Sequence, residues 1–316
     1  MKGLRRILQW GVPVAVSVAV LALLLGRDDI DLLGVLGSIR PSVTKTLVPA
    51  FLVYGAVSLW IEAISLVRMS GAPRDVFSLA TAARVKAASY LAYTAHYTLG
   101  VGALTVLLRR RAGLSLGDSA GVVLLIAFYD LGVALILVTV GAMMLGADTP
   151  GVRAGLVAGA GVAIVAGFAF LRAPFDLGPL ERIRSLSIFG AVRTARVRAL
   201  IELGLLRVVF SFTFVGLIGA GLHAFGIQVP PAELIVNTLL VALVAALPIA
   251  VAGIGTGNAA FVYAFRAYGD PQTLLACSLA VAAGMIVLRA GIGLVFAREF
   301  AREAIEAVRR GEAEHE

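Results

Sequence analysis

Four ionisable side chains stand inside apolar runs: Glu62 in 47–67, Asp130 in 118–145, Arg207 in 200–225 and Arg289 in 274–296. A charge in such a run is costly, and it usually faces a partner or a cavity. Paired, these groups can hold a polar ligand or carry protons. Glu62 is expected to pair with Arg207, and Asp130 with Arg289. The plain alternative is that they are fixed packing pairs with no transported partner. His96 has a ring that titrates near neutral pH and could gate or relay protons. A lone histidine flanked by tyrosines more often just hydrogen-bonds a neighbour. Asn237 and Asn258 can satisfy broken backbone or touch a polar headgroup. No nucleophile–base pair appears, so no catalytic residue and no enzyme activity are expected. Cys277 is the single cysteine, and His96, His223 and His315 are scattered. Neither a metal site nor a cofactor is expected.

The elements that carry these groups are set by composition. The 316 residues are 60% hydrophobic and 15% charged, with a mean hydropathy of +0.97. Soluble domains are about 45–50% apolar and about 25% charged. Several runs exceed the ~18 apolar residues that mark a membrane span. An all-α polytopic membrane protein, one integral membrane domain over 1–316, is expected. The formal charge is +8. Its arginines sit in short loops between apolar runs, which fits topology and anionic lipid headgroups. Basic patches interleaved with aromatics are absent, so nucleic acid is not an expected partner.

The stretch around which the chain is organised is Leu247-Pro248-Ile249-Ala250-Val251-Ala252-Gly253-Ile254-Gly255-Thr256-Gly257-Asn258. A proline and the alternating glycines Gly253, Gly255 and Gly257 are poor helix material. Broken backbone in hydrocarbon survives only where protein buries it or a watery cavity touches it. The stretch reads as the tip of a re-entrant hairpin over 233–268. Its free N–H groups would suit an anion such as a phosphate. A nucleotide loop is excluded because no soluble strand precedes it.

Residues 7–25 read as a retained first span rather than a cleaved signal peptide. Residues 27–46 read as an interfacial amphipathic helix, and 154–171 as a glycine-rich span whose glycines serve packing. Residues 172–198 form a basic loop, and 298–316 a tail that is a frayed amphipathic helix. If every apolar segment crossed fully, the arginine clusters would fall on both sides. Letting 83–108 enter and return from the cytoplasm, and 233–268 from outside, puts the clusters at 2–6, 68–86, 109–111 and 172–198 inside. The expected architecture is therefore about six full spans plus two re-entrant hairpins in the cell membrane, with both termini cytoplasmic.

The two hairpins have similar sequels. Gly100-Val101-Gly102 is followed by a span holding Asp130-Leu131-Gly132. About 155 residues on, Gly253-Ile254-Gly255 is likewise followed by a span holding Arg289-Ala290-Gly291. Repeat halves of 47–146 and 198–297 are expected, inverted in the membrane, which is a transporter pattern.

Pro248, Gly253, Gly255 and Asn258 carry a resemblance. The second hairpin resembles the signature of the lysylphosphatidylglycerol-synthase transmembrane family, the flippase-like membrane proteins: a proline, small residues, Gly-x-Gly, a polar residue and an apolar helix. That family more often has glutamate where Asn258 stands. The first half departs: His96-Tyr97-Thr98-Leu99-Gly100 replaces its Asn/Pro/Gly turn, and Ala127 precedes Asp130 where the family has arginine. The resemblance implies a lipid substrate, anionic or glycosylated. Its aminoacyl-transferring members carry a soluble catalytic domain, for which this sequence shows no counterpart, so lipid aminoacylation is not expected.

The expected function is lipid translocation at a site between the hairpin tips, with Asn258, Asn237, His96, Pro248 and the three glycines beside the charged pairs. Two rivals remain open. One is a proton-coupled transporter of a small polar solute. The other is a non-transporting partner that holds a cytoplasmic lipid- or glycan-modifying enzyme through 172–198. A homo-oligomer is compatible with either.

Overall fold

Glycine, proline and short polar side chains decide where the helices stop. The computed structural model describes residues 41–95, 97–145, 190, 195–245 and 255–313, with side chains to residue 296 apart from those of Ala95 and Met144. Among these residues it is all helical, with eight helices and no strand. They are α1 (Pro41–Ser70), α2 (Leu79–Ala95), α3 (Tyr97–Ala112), α4 (Leu116–Met144), α5 (Val197–Ala224), α6 (Pro231–Ala245), α7 (Thr256–Phe265) and α8 (Pro271–Ala313). Ser115 caps α4 by accepting the Asp118 N–H at 3.1 Å. Asp270 caps α8 by accepting the Thr273 N–H at 2.9 Å, and Pro271 follows at the first helical position, where no N–H is needed.

Among the described residues, four helices are long and apolar enough to cross a membrane: Pro41–Ser70, Leu116–Met143, Val197–Ala224 and Pro271–Phe296. Their outward faces carry Leu52, Val53, Trp60, Phe128, Ile136, Ile201, Leu205, Val287 and Val295 in exposed positions. So much exposed apolar surface suits lipid, not water. The expected spans at 7–25 and 154–171, the loop 172–198 apart from residues 190 and 195–198, and most of the interfacial helix lie outside the described residues.

Two expectations about boundaries are corrected. Residues 41–46 belong to α1 and not to an interfacial helix, because Val43 and Leu47 are already buried in the core. Residues 298–313 continue α8 without a break. No glycine or proline interrupts the chain between Gly293 and Gly311 to end it sooner.

The packing is closed under one exchange. Swap α1 with α5, α2 with α6, α3 with α7 and α4 with α8, and every substantial helix–helix packing maps onto another that is present. Thus α2 packs on α8 as α6 packs on α4, and α1 on α8 as α5 on α4. The two cores exchange as well. One gathers Leu66, Val85, Leu108, Val122 and Leu203; the other gathers Phe51, Ile218, Phe261, Phe265 and Leu274. Glycines allow the close approaches at matching places. A Cβ on Gly141 of α4 would strike Val236 of α6. One on Gly293 of α8 would meet the backbone N of Leu91 of α2 at 3.0 Å.

Helices α1 and α5 run antiparallel through the centre. Arg68 meets Glu202 at 3.4 Å and Glu62 meets Arg207 at 3.1 Å. Tyr54 lies against Phe210 and Phe214, and Leu47 lies beside Gly221. The α5 number rises as the α1 number falls.

Candidate functional site: a charged, tyrosine-lined cavity

Among the described residues, Arg207 is the largest fully buried side chain, with no exposed surface. An unpaired guanidinium there would be prohibitive, and the neighbouring helices supply its partners. Its Nη1 donates to Glu62 Oε1 of α1 at 3.1 Å and to Asp130 Oδ1 of α4 at 3.4 Å. Its Nη2 donates to Ser65 Oγ at 2.6 Å and to the Ile61 carbonyl at 3.4 Å. The guanidinium also lies 5.1 Å from the centre of the Phe210 ring. One arginine on α5 thus ties α1 and α4 together.

Glu62 has a second cation. Lys86 Nζ of α2 sits 3.1 Å from Glu62 Oε2, and both side chains are nearly dry. Lys86 also lies 5.3 Å from the centre of the Tyr93 ring and 5.9 Å from that of Tyr90. Tyr93 in turn stands edge-on to Tyr97 at 5.7 Å. A Cβ on Gly100 would fall on the Tyr93 ring, so the bare Gly100 backbone leaves room for that tyrosine between α2 and α3.

These groups border a cavity of about 190 Å³. Its walls include Tyr54, Ser58 and Glu62 of α1, Lys86, Tyr90 and Tyr93 of α2, Tyr97 of α3, Asp130 of α4 and Arg289 of α8. The space is far larger than one water needs and smaller than the 300–1,000 Å³ or so of a drug-sized site. Asp130 keeps 37% of its side chain exposed, so one edge of its carboxylate remains available.

The expected Glu62–Arg207 pair is present. The expected Asp130–Arg289 pair is not: Asp130 pairs with Arg207, one wall away, and Arg289 makes no ion pair among the described residues.

Among the described residues, none from the second hairpin lines this cavity. Asn258 is buried and committed to structure. Its Oδ1 accepts the Gly255 N–H at 3.0 Å and its Nδ2 donates to Ser278 Oγ at 3.0 Å. Gly255 has a φ of 97°, open to glycine and strained for other residues. Gly257 lies against Ala245. Asn237 is half-buried on α6. Pro248, Gly253 and His96 lie outside the described residues.

Lys86 and the tyrosines were the missed members. Lys86 reads from sequence as the end of a basic loop, yet it is a buried residue of α2. The signal was present for three of them: Lys86, Tyr90 and Tyr93 are spaced four and three apart, one face of α2, while Tyr97 begins α3. Among the described residues no group of histidine, cysteine and acidic side chains is placed to hold a metal. Neither protein-family models, nor curated proteins, nor solved structures give a match to this chain.

Proposed function

We propose that the protein is a membrane lipid translocator that binds a polar headgroup, anionic or glycosylated, in the cavity beside its first helical hairpin. The observation that carries this reading is the cavity itself, with charged and phenolic walls among helices whose outer faces are apolar. A water-soluble solute needs only the polar walls; a lipid needs both surfaces.

The architecture supports the same reading. Exchanging two antiparallel helices, α1 and α5, while keeping chain direction calls for a twofold axis perpendicular to them. The two four-helix sets are then inverted in the bilayer, as in many transporters. The hairpin arms are short for crossing: the 17 residues of α2 span about 25 Å and the 15 of α6 about 22 Å, against a hydrocarbon core of about 30 Å. Both are read as re-entrant, one from each face. With the spans 7–25 and 154–171 the total is six crossings and two hairpins, in the cell membrane with both termini cytoplasmic. The resemblance of the second hairpin to flippase-like membrane proteins agrees with a lipid substrate.

The test is movement of a labelled lipid between leaflets of reconstituted vesicles. The wild-type protein should accelerate it over protein-free vesicles, and Asp130→Ala or Arg289→Ala should slow it. Unchanged transport in both variants removes the cavity from the account. A second reading, proton-coupled transport of a small polar solute, draws on the half-exposed Asp130 carboxylate. Dissipation of a pH gradient without lipid dependence would favour it.

A further inference from the structure

We propose that the cavity selects a ligand group bearing one negative charge, a phosphodiester or a carboxylate, with Arg289 as its anchor. This rests on the cavity being a binding site, and it adds the charge of what binds there.

The argument is a count of charges. Glu62, Asp130, Lys86 and Arg207 form one connected cluster, with contacts of 3.1, 3.4 and 3.1 Å joining its members. Two carboxylates face two cations, so the cluster is neutral. Arg289 stands on the cavity wall outside it, half-buried and without an ion pair among the described residues. An arginine cannot shed its proton, and an uncompensated charge at membrane depth is costly. One anionic group in the cavity would balance Arg289 and leave the site neutral. A phosphomonoester, near two negative charges above its second pKa of about 6, would overshoot. A zwitterionic or uncharged headgroup would bring Arg289 no net balancing charge. The planar guanidinium also suits a two-oxygen acid group, which it can grip with two parallel N–H donors. The phenol groups of Tyr54, Tyr90 and Tyr93 line the same space and can donate to the remaining oxygens.

The experiment uses the purified full chain in detergent at pH 8 and follows its thermal unfolding with added mixed micelles. Phosphatidylglycerol should raise the midpoint by several degrees. Phosphatidic acid and phosphatidylcholine at the same concentration should raise it clearly less. Arg289→Gln should lose the phosphatidylglycerol increment and Arg289→Lys should keep part of it. Lipids retained through purification of the wild type, identified by mass spectrometry, give a reading independent of any variant and should be enriched in singly charged species. An increment that survives in Arg289→Gln, or is as large with phosphatidic acid, overturns the proposal. So does retained lipid with no enrichment by charge. A soluble dialkyl phosphate that matches phosphatidylglycerol upholds the charge selection but assigns the site to a solute, against lipid translocation. Leaflet exchange with no charge preference does the reverse, keeping the translocator and discarding the selection.

Discussion

Arg207 holds the site together at the scale of single residues. Its five contacts tie three helices around a dry guanidinium. Removing one partner of a buried pair leaves the others uncompensated, at a cost of about 3–5 kcal/mol. Arg207→Met should therefore lower stability by that order in detergent unfolding, and adding Glu62→Gln should recover part of the loss. Strict additivity of the two would show that the contact carries no coupling. Asn258→Ala should cost about 1–3 kcal/mol by stranding the buried Gly255 N–H, measured the same way, with the cavity untouched. That the chain would bury charge, and that Glu62 would find Arg207, was legible because so few ions stand in apolar runs. The partner of Asp130 was not, since distance along the chain says nothing about which wall a side chain faces. Asn258 looked like a ligand because its role as a cap depends on a glycine at positive φ, which sequence does not display.

Among the helices, close approach at glycine sets the geometry. Gly293 lets α8 touch the backbone of α2, which cannot yield as a flexible side chain would. Gly293→Leu should push α2 away, cost about 1–3 kcal/mol by overpacking, and reduce lipid movement more than its stability loss explains. Lipid movement equal to wild type would show that the position of α2 does not matter to the cavity. The breaks near 96, 113, 226 and 270 were legible from turn residues and from the lengths of the apolar runs. The start of α1 was not, because acidic residues just upstream made 27–46 look like one amphipathic unit. The unbroken length of α8 was missed because charge begins at Arg298, whereas the backbone needs only helix-forming residues to continue.

For the molecule as a whole, the two halves are alike in packing and unlike in chemistry. The first half encloses charges and tyrosines. The core of the second gathers Phe51, Ile218, Phe261 and Phe265, with the last two phenylalanine rings 4.8 Å apart. Small apolar residues gave the sequence repeat little contrast, so the likeness was visible only in Gly-x-Gly and its sequel. The difference between halves depends on which positions meet in space. The central claim is that the hairpins dip from opposite faces, and cysteine accessibility in sealed vesicles of known orientation tests it most directly. Arg110 and Gln228 are exposed beside the first and second hairpins, and native Cys277 is buried. Arg110→Cys should react with an impermeant thiol reagent only from the cytoplasmic side, and Gln228→Cys only from the other. Labelling of both from the same side would contradict the inverted arrangement and the translocation path drawn from it.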